Sequence, residues 1–277
     1  MNEPQSYVVE LGRLVREPGW ELLQLRKLWP AAEREVQRKW ERLMRSVPSD
    51  DPIRRQVDLL HSIKCAADET LHTQALAYIL DPIQDHGFGG KVLVALLERI
   101  AKLNGRAGAA RILHSLRRRT THLRVTPEYR YSIEGFRDRT VARSDVWIET
   151  QARKKSALVV IENKIGAAEA REQLSWYERK AAAWCKERGH NRCLLIFLTP
   201  DGRSATTGKS QKWIALSYLD LASALRNAWT KNRGVAGSEW LALYITSITR
   251  GVLGIDIARR GGASVQDIET YLGRDRR

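Results

Sequence analysis

Residues 156–163, Ser-Ala-Leu-Val-Val-Ile-Glu-Asn, constrain most tightly what this chain can fold into. A continuous apolar run rich in β-branched residues reads as a strand covered on both faces, not one with a solvated side. Covering both faces takes helices above and below a sheet, so an α/β fold is expected. The flanking segments agree. RVTPEYRYSI (124–133) and RTVARSDVWIE (139–149) read as strands before it. A helix at about 168–188 follows, then strands RCLLIFLTP (192–200) and WIALSY (213–218). Helices near 219–231, 238–250 and 264–272 close the chain, which predicts a mixed β-sheet flanked by helices.

The amino-terminal part has a different pattern. Leu22, Leu25, Leu28 and Trp29, then Val36, Trp40 and Leu43, recur at helical spacing around Pro30. VPSDDP at 47–52 has the composition of a linker. We therefore expect a helical extension over residues 1–50 and a main domain over 51–277. The extension would serve a homodimer or a partner protein. Within the main domain, 53–80 reads as one or two helices ending at Asp81-Pro82. Gly87, Gly89 and Gly90 mark a turn before the helix KVLVALLERIAKL.

Charge narrows the partner. The 277 residues carry 47 Lys+Arg against 32 Asp+Glu, a formal charge of +15, which points to a polyanion and favours nucleic acid over membrane. Two thirds of the excess lies between Arg99 and Lys155, with fifteen Lys/Arg and five Asp/Glu. Arginine dominates there, and its planar fork suits phosphate. Arg117, Arg118, Arg119, Arg130 and Arg143 are the candidate nucleic-acid contacts; a solvated basic face is the plainer alternative. Cys65, Cys185 and Cys193 have neither paired nor metal-finger spacing, which argues against a disulfide framework. MNEPQSYVVE lacks the basic and apolar regions of a secretion signal, and runs such as LLIFL are too short to cross a bilayer. A cytoplasmic location without a membrane is expected.

The chemistry concentrates at Glu162-Asn163-Lys164, the end of the apolar strand. Glu162 and Lys164, two apart on a strand, share a face. Asp145 lies seventeen positions before Glu162, and a hairpin turning at residues 153–154 would set the two acids opposite each other. Two carboxylates beside one lysine suit Mg²⁺ or Mn²⁺, hard ions with oxygen ligands. Such an ion generates a nucleophile from water and stabilises charge developing on phosphate. The pattern alone also describes a salt-bridged strand end, and Glu178-Arg179-Lys180 repeats it inside a helix. The following helix adds information. Gln173 and Tyr177, four apart, share a face with Ala170, Ala181 and Trp184. A Gln on an apolar stripe needs polar partners, and the acidic strand ends or a substrate are the nearest.

Asp145, Glu162-x-Lys164 and Gln173-x-x-x-Tyr177 together resemble the PD-(D/E)xK nuclease superfamily, in its RecB-like QxxxY branch. ETLHTQALAYILDPIQDHGFGGKVL and LTPDGRSATTGKSQKWIALSYLDL are similar to further blocks of one bacterial family in that group. The resemblance spans roughly residues 60–230 and implies a restriction-endonuclease-like core with metal-dependent deoxyribonuclease activity. It also implies Lys164 as the catalytic lysine, and Asp145, Glu162, Glu69 and the Asn163 backbone carbonyl as the metal's surroundings. Gln173 and Tyr177 would organise the site. Related enzymes suggest defence against foreign DNA. Two other readings stay open, a non-catalytic nucleic-acid-binding module and an RNase.

Three features are set aside. GRSATTGKS (202–210) imitates a phosphate-binding loop, but five residues separate its glycines where four are needed, and a strand follows where a helix is required. His72 and His86 read as structural. Trp20, Trp29, Trp176 and Trp184 read as core or interface.

Overall fold

The computed structural model describes residues 21–104, 107–117, 122–132, 141–152, 155–169, 172–188, 193–209, 212–259 and 261–274. Arg118, Arg119, Trp20 and Ala170 lie outside them, as do the side chains of Arg117, Arg130 and Arg143.

Helix α1 (Glu21–Ser46) leads through a short turn at Pro52–Arg54 to α2 (Leu59–Ser62), α3 (Glu69–Leu80), α4 (Lys91–Asn104) and α5 (Ala107–Arg117). Strands β1 (His122–Ser132), β2 (Val141–Ala152) and β3 (Lys155–Asn163) follow. Then come α6 (Gln173–Glu187), β4 (Cys193–Thr199), β5 (Trp213–Ser217), α7 (Tyr218–Lys231), α8 (Ser238–Thr246) and α9 (Val265–Tyr271). The strands lie in sequence order, β1-β2-β3-β4-β5. The first three are antiparallel and the last three parallel. This is the expected mixed sheet flanked by helices, in a restriction-endonuclease-like arrangement. Helix α6 is the crossover that parallel β3 and β4 require.

The apolar run behaves as its composition demands. Leu158, Val159, Val160 and Ile161 are all at most 1% exposed. Val159 and Ile161 join Val146, Ile148, Leu194, Ile196 and Leu198 in a core shared with α3, α4, α7 and α8. Leu158 and Val160 turn to the other face, packing with Trp147, Phe197, Leu174, Tyr177 and Trp184 beneath α6. The sheet is thus covered on both sides, and the polar residues Glu162 and Asn163 fall at the carboxyl end of β3.

Several expectations change. Residues 47–52 are not a free linker: Asp51 is fully buried, accepting from Ile53 N–H, Arg226 Nε (2.7 Å) and the Tyr271 hydroxyl (2.7 Å). Leu43 and Val47 enter the main core, and Lys39 pairs with Glu269 at 3.0 Å, so the end of α1 docks on α9. Of the tryptophans read as core or interface, Trp29 is 62% exposed and so lies outside the core, whereas Trp184 is buried. Helix α5 lies within the basic stretch and adds an element to those expected from periodicity. Arg99, counted in the basic stretch, is buried against Asp220 at 2.7 Å. It therefore braces α4 against α7 and presents nothing to phosphate. Among the described residues no helix is long and apolar enough to cross a membrane.

Candidate active site

The β2–β3 register decides where the carboxylates meet. Val146 pairs with Ile161 and Ala152 with Lys155, in an antiparallel register. Continuing that register by one position sets Asp145 beside Glu162. Asp145 Oδ2 accepts the Asn163 backbone N–H at 2.7 Å, which fixes the end of β3 against β2.

Glu162 is fully buried. One of its oxygens, Oε1, is crowded with donors: Lys164 Nζ at 3.1 Å and Gln173 Nε2 at 2.8 Å. Gln173 Nε2 also donates to the Tyr177 hydroxyl at 2.6 Å, and that hydroxyl hydrogen-bonds to Glu162. The second oxygen, Oε2, is buried without a hydrogen-bond partner among the described residues. Burial, then the Asp145 charge, push the Glu162 carboxyl well above the usual carboxylate range, although Lys164 and Tyr177 oppose the rise. Burial would lower Lys164, but the Glu162 and Asp145 charges and the bond to Glu162 outweigh it and raise its ammonium. Burial first and the Asp145 charge second thus favour the protonated Glu162 carboxyl, while the neighbouring acids favour the Lys164 ammonium.

Glu69 opens α3, where Asp68 caps the helix by accepting from Leu71 N–H. Its Oε2 accepts from Ile165 N–H at 2.7 Å, and its Oε1 lies 4.0 Å from Lys164 Nζ. Glu69 therefore touches both the lysine and the residue after it. Asn163, whose side chain carried no expectation, ties the layers together. Its Nδ2 donates to Glu69 O and Thr73 Oγ1, both at 3.2 Å, while Oδ1 accepts from the Tyr218 hydroxyl at 2.6 Å. The sequence signal, an Asn inside an otherwise apolar buried run, was present but unused. Asn163→Ala would leave several buried groups unsatisfied, and about 3 kcal/mol of stability should be lost, read from denaturant unfolding.

A divalent cation can be tested against this donor set. The acidic groups at the β3 end offer hard oxygens, and Glu162 Oε2 is an acceptor left unanswered among the described residues. A cation there would offset both the burial and the Asp145 charge that raise the Glu162 carboxyl. The residues fit Mg²⁺, which accepts few protein carboxylates and keeps several waters. Among the described residues no three His, Cys, Asp or Glu side chains gather as one ligand group, so Asp145 and Glu162 are the natural pair. Glu69 is engaged with Ile165 and Lys164.

The features set aside acquire roles. His72 is buried between Tyr218 and Tyr244, and its Nε2 bonds Ala66 O at 3.0 Å. Burial lowers its pKa, so it stays neutral. His86 spans its turn, from Asp81 O (2.8 Å) to Phe88 N–H (3.0 Å). Glu178 of the second E-x-K pattern accepts from Lys209 N–H and Trp213 Nε1, on the helix side of the sheet.

A mixed sheet with a paired-carboxylate and lysine cluster at its strand ends is the architecture of nucleases that cut with a metal ion. A family model for the PD-(D/E)XK nuclease superfamily matches residues 57–245, and the chain belongs to that superfamily. No curated protein and no solved structure gives a significant match.

Proposed function

We propose that this protein hydrolyses phosphodiester bonds of DNA with a Mg²⁺ or Mn²⁺ ion held by Asp145 and Glu162. The observation that carries the reading is Glu162 Oε2, a buried carboxylate oxygen with no donor among the described residues. The cation, when bound, lowers the pKa of water and neutralises charge on the phosphate. The residues do the rest. Gln173 and Tyr177 hold Glu162, and its Oε2 keeps no donor among the described residues. The Glu162 and Asp145 charges favour the ammonium form of Lys164. Its ammonium can orient the attacking water and stabilise charge on the phosphoryl oxygens as the P–O bond breaks. The Gln173–Tyr177 pair on Glu162 also supports the QxxxY assignment. The arginines of 117–143 supply backbone contacts, and the exposed Trp29 and Val36 of α1 supply a surface for a second copy or a partner.

The test is incubation of the full chain with duplex DNA, single-stranded DNA and RNA, in Mg²⁺ or in EDTA. Cation-dependent loss of DNA is expected. Loss of RNA alone would make the protein an RNase. Binding without cleavage of any substrate would make it a non-catalytic module.

A further inference from the structure

We propose that Glu169 is a positioning residue of this site: it grips the 203–207 loop and so holds the segment that delivers Gln173 to the Glu162 carboxylate. The inference rests on the catalytic reading above. It begins from the stretch whose sequence imitates a phosphate-binding loop. Its amides do enclose an anion, but that anion belongs to the chain itself. The Glu169 side chain is 3% exposed, and its carboxylate accepts from Arg203 Nη1 at 2.6 Å. It also accepts from Thr206 N–H at 2.9 Å, Thr207 N–H at 2.8 Å and Thr207 Oγ1 at 3.0 Å. Successive amides converging on one carboxylate form an anion nest. Burial would raise the Glu169 carboxyl, yet these donors bring it down to about 2, so the grip persists at any working pH.

The position of Glu169 along the chain gives the grip its purpose. The segment leaving β3 is held at Ile165, through Glu69, and at Gln173, through Glu162. Glu169 anchors it between those points. Helix α6 starts without a side-chain cap, behind Glu172 at φ 65°. A left-handed non-glycine residue persists only where its surroundings over-determine it. The loop is seated on α6 as well: Gly208 has φ +75°, and a Cβ there would come within 2.8 Å of Glu178 Oε1 and 3.1 Å of Leu174 Cβ. Glu178 thus holds the same loop from the helix body, through Lys209 N–H at 2.7 Å. The two anchors differ in one respect. Glu169 lies on the path to Gln173 and Glu178 does not.

That difference makes the inference testable with Glu169→Gln, Glu169→Asp and Glu178→Gln in the full chain. Hydrogen exchange over 164–174, melting temperature, and the kcat and KM for a short DNA substrate with Mg²⁺ are read together. Glu169→Gln and Glu178→Gln should both lower the melting temperature. In Glu169→Gln, exchange over 164–174 should rise and kcat should fall by about tenfold with KM nearly unchanged, because a displaced site group slows chemistry more than binding. Glu169→Asp, still anionic, should recover part of the kcat. Glu178→Gln should keep wild-type exchange over 164–174 and kcat within about twofold. Unchanged exchange in Glu169→Gln would overturn the positioning role, whatever the activity. Equal kcat losses in Glu169→Gln and Glu178→Gln would overturn it too, leaving only loop stability. A wild type that cleaves nothing would instead overturn the catalytic reading, and exchange alone would then decide on the anchor.

Discussion

Lys164→Ala should cut the rate of cleavage by about a thousandfold or more while DNA binding survives, since a charge placed at the reacting phosphate acts mainly in the transition state. The Lys164 ammonium sits 3.1 Å from Glu162 Oε1 and 4.0 Å from Glu69 Oε1, and its proton is held firmly by those acids. Removing it deletes the cation nearest the proposed phosphate position but leaves the oxygen ligands in place. Calorimetric titration with Mn²⁺ should therefore show binding retained or tightened, because a competing positive charge has gone. Single-turnover kinetics read the other half. A variant that loses cation binding together with activity would show that Lys164 builds the site and does not act in it.

Glu162→Gln has an effect of similar size on activity and the opposite effect on stability. Cleavage should fall by about a thousandfold, since the ligand oxygen and its charge disappear together. Without divalent cation, however, the variant should be more stable than wild type at pH 8. Burial raises the Glu162 carboxyl in the folded chain above its unfolded value. Below the unfolded value both states are protonated and the shift costs nothing. As pH rises from the unfolded to the folded value, the unfolded chain ionises first and stability is lost, and above the folded value the full penalty is present. Gln cannot ionise, so it removes the penalty. The gain in melting temperature should appear at pH 8 and vanish near pH 4, each kcal/mol being worth about 2–4 °C in a chain of this size. Divalent cation should stabilise wild type at pH 8, by cancelling the same penalty, and do little for the variant. Wild-type cleavage should in turn weaken on acidification, with an acid limb above the ordinary glutamate range.

The parts of the molecule legible in sequence are those in which one local rule dominates. The double-sided burial of β3 follows from Val159, Val160 and Ile161, and the β2–β3 register that carries Asp145 towards Glu162 follows from the spacing of the two strands. Gln173 betrayed itself as a polar residue on an apolar stripe, and its partner is an acidic strand end. What escaped depends on contacts between distant segments. Asp51 looked like turn chemistry, yet its carboxylate is matched by Arg226 and Tyr271, residues far along the chain. Arg99 counted as surface charge until Asp220 answered it from α7. The Asn163 side chain and the Glu169 nest were invisible for the same reason, because long-range hydrogen bonds leave no periodic trace. Cys185 and Cys193 have no paired spacing in sequence, yet their thiols hydrogen-bond where α6 ends and β4 begins.

The claim that water is activated at the Asp145–Glu162 end of the sheet is tested most directly by cleavage of labelled DNA in ¹⁸O-water. With Mg²⁺, each cut should place one ¹⁸O on the newly formed phosphate end, and both EDTA and Lys164→Ala should stop the reaction. Cleavage that continues in EDTA, or that leaves the new phosphate without ¹⁸O, would contradict it.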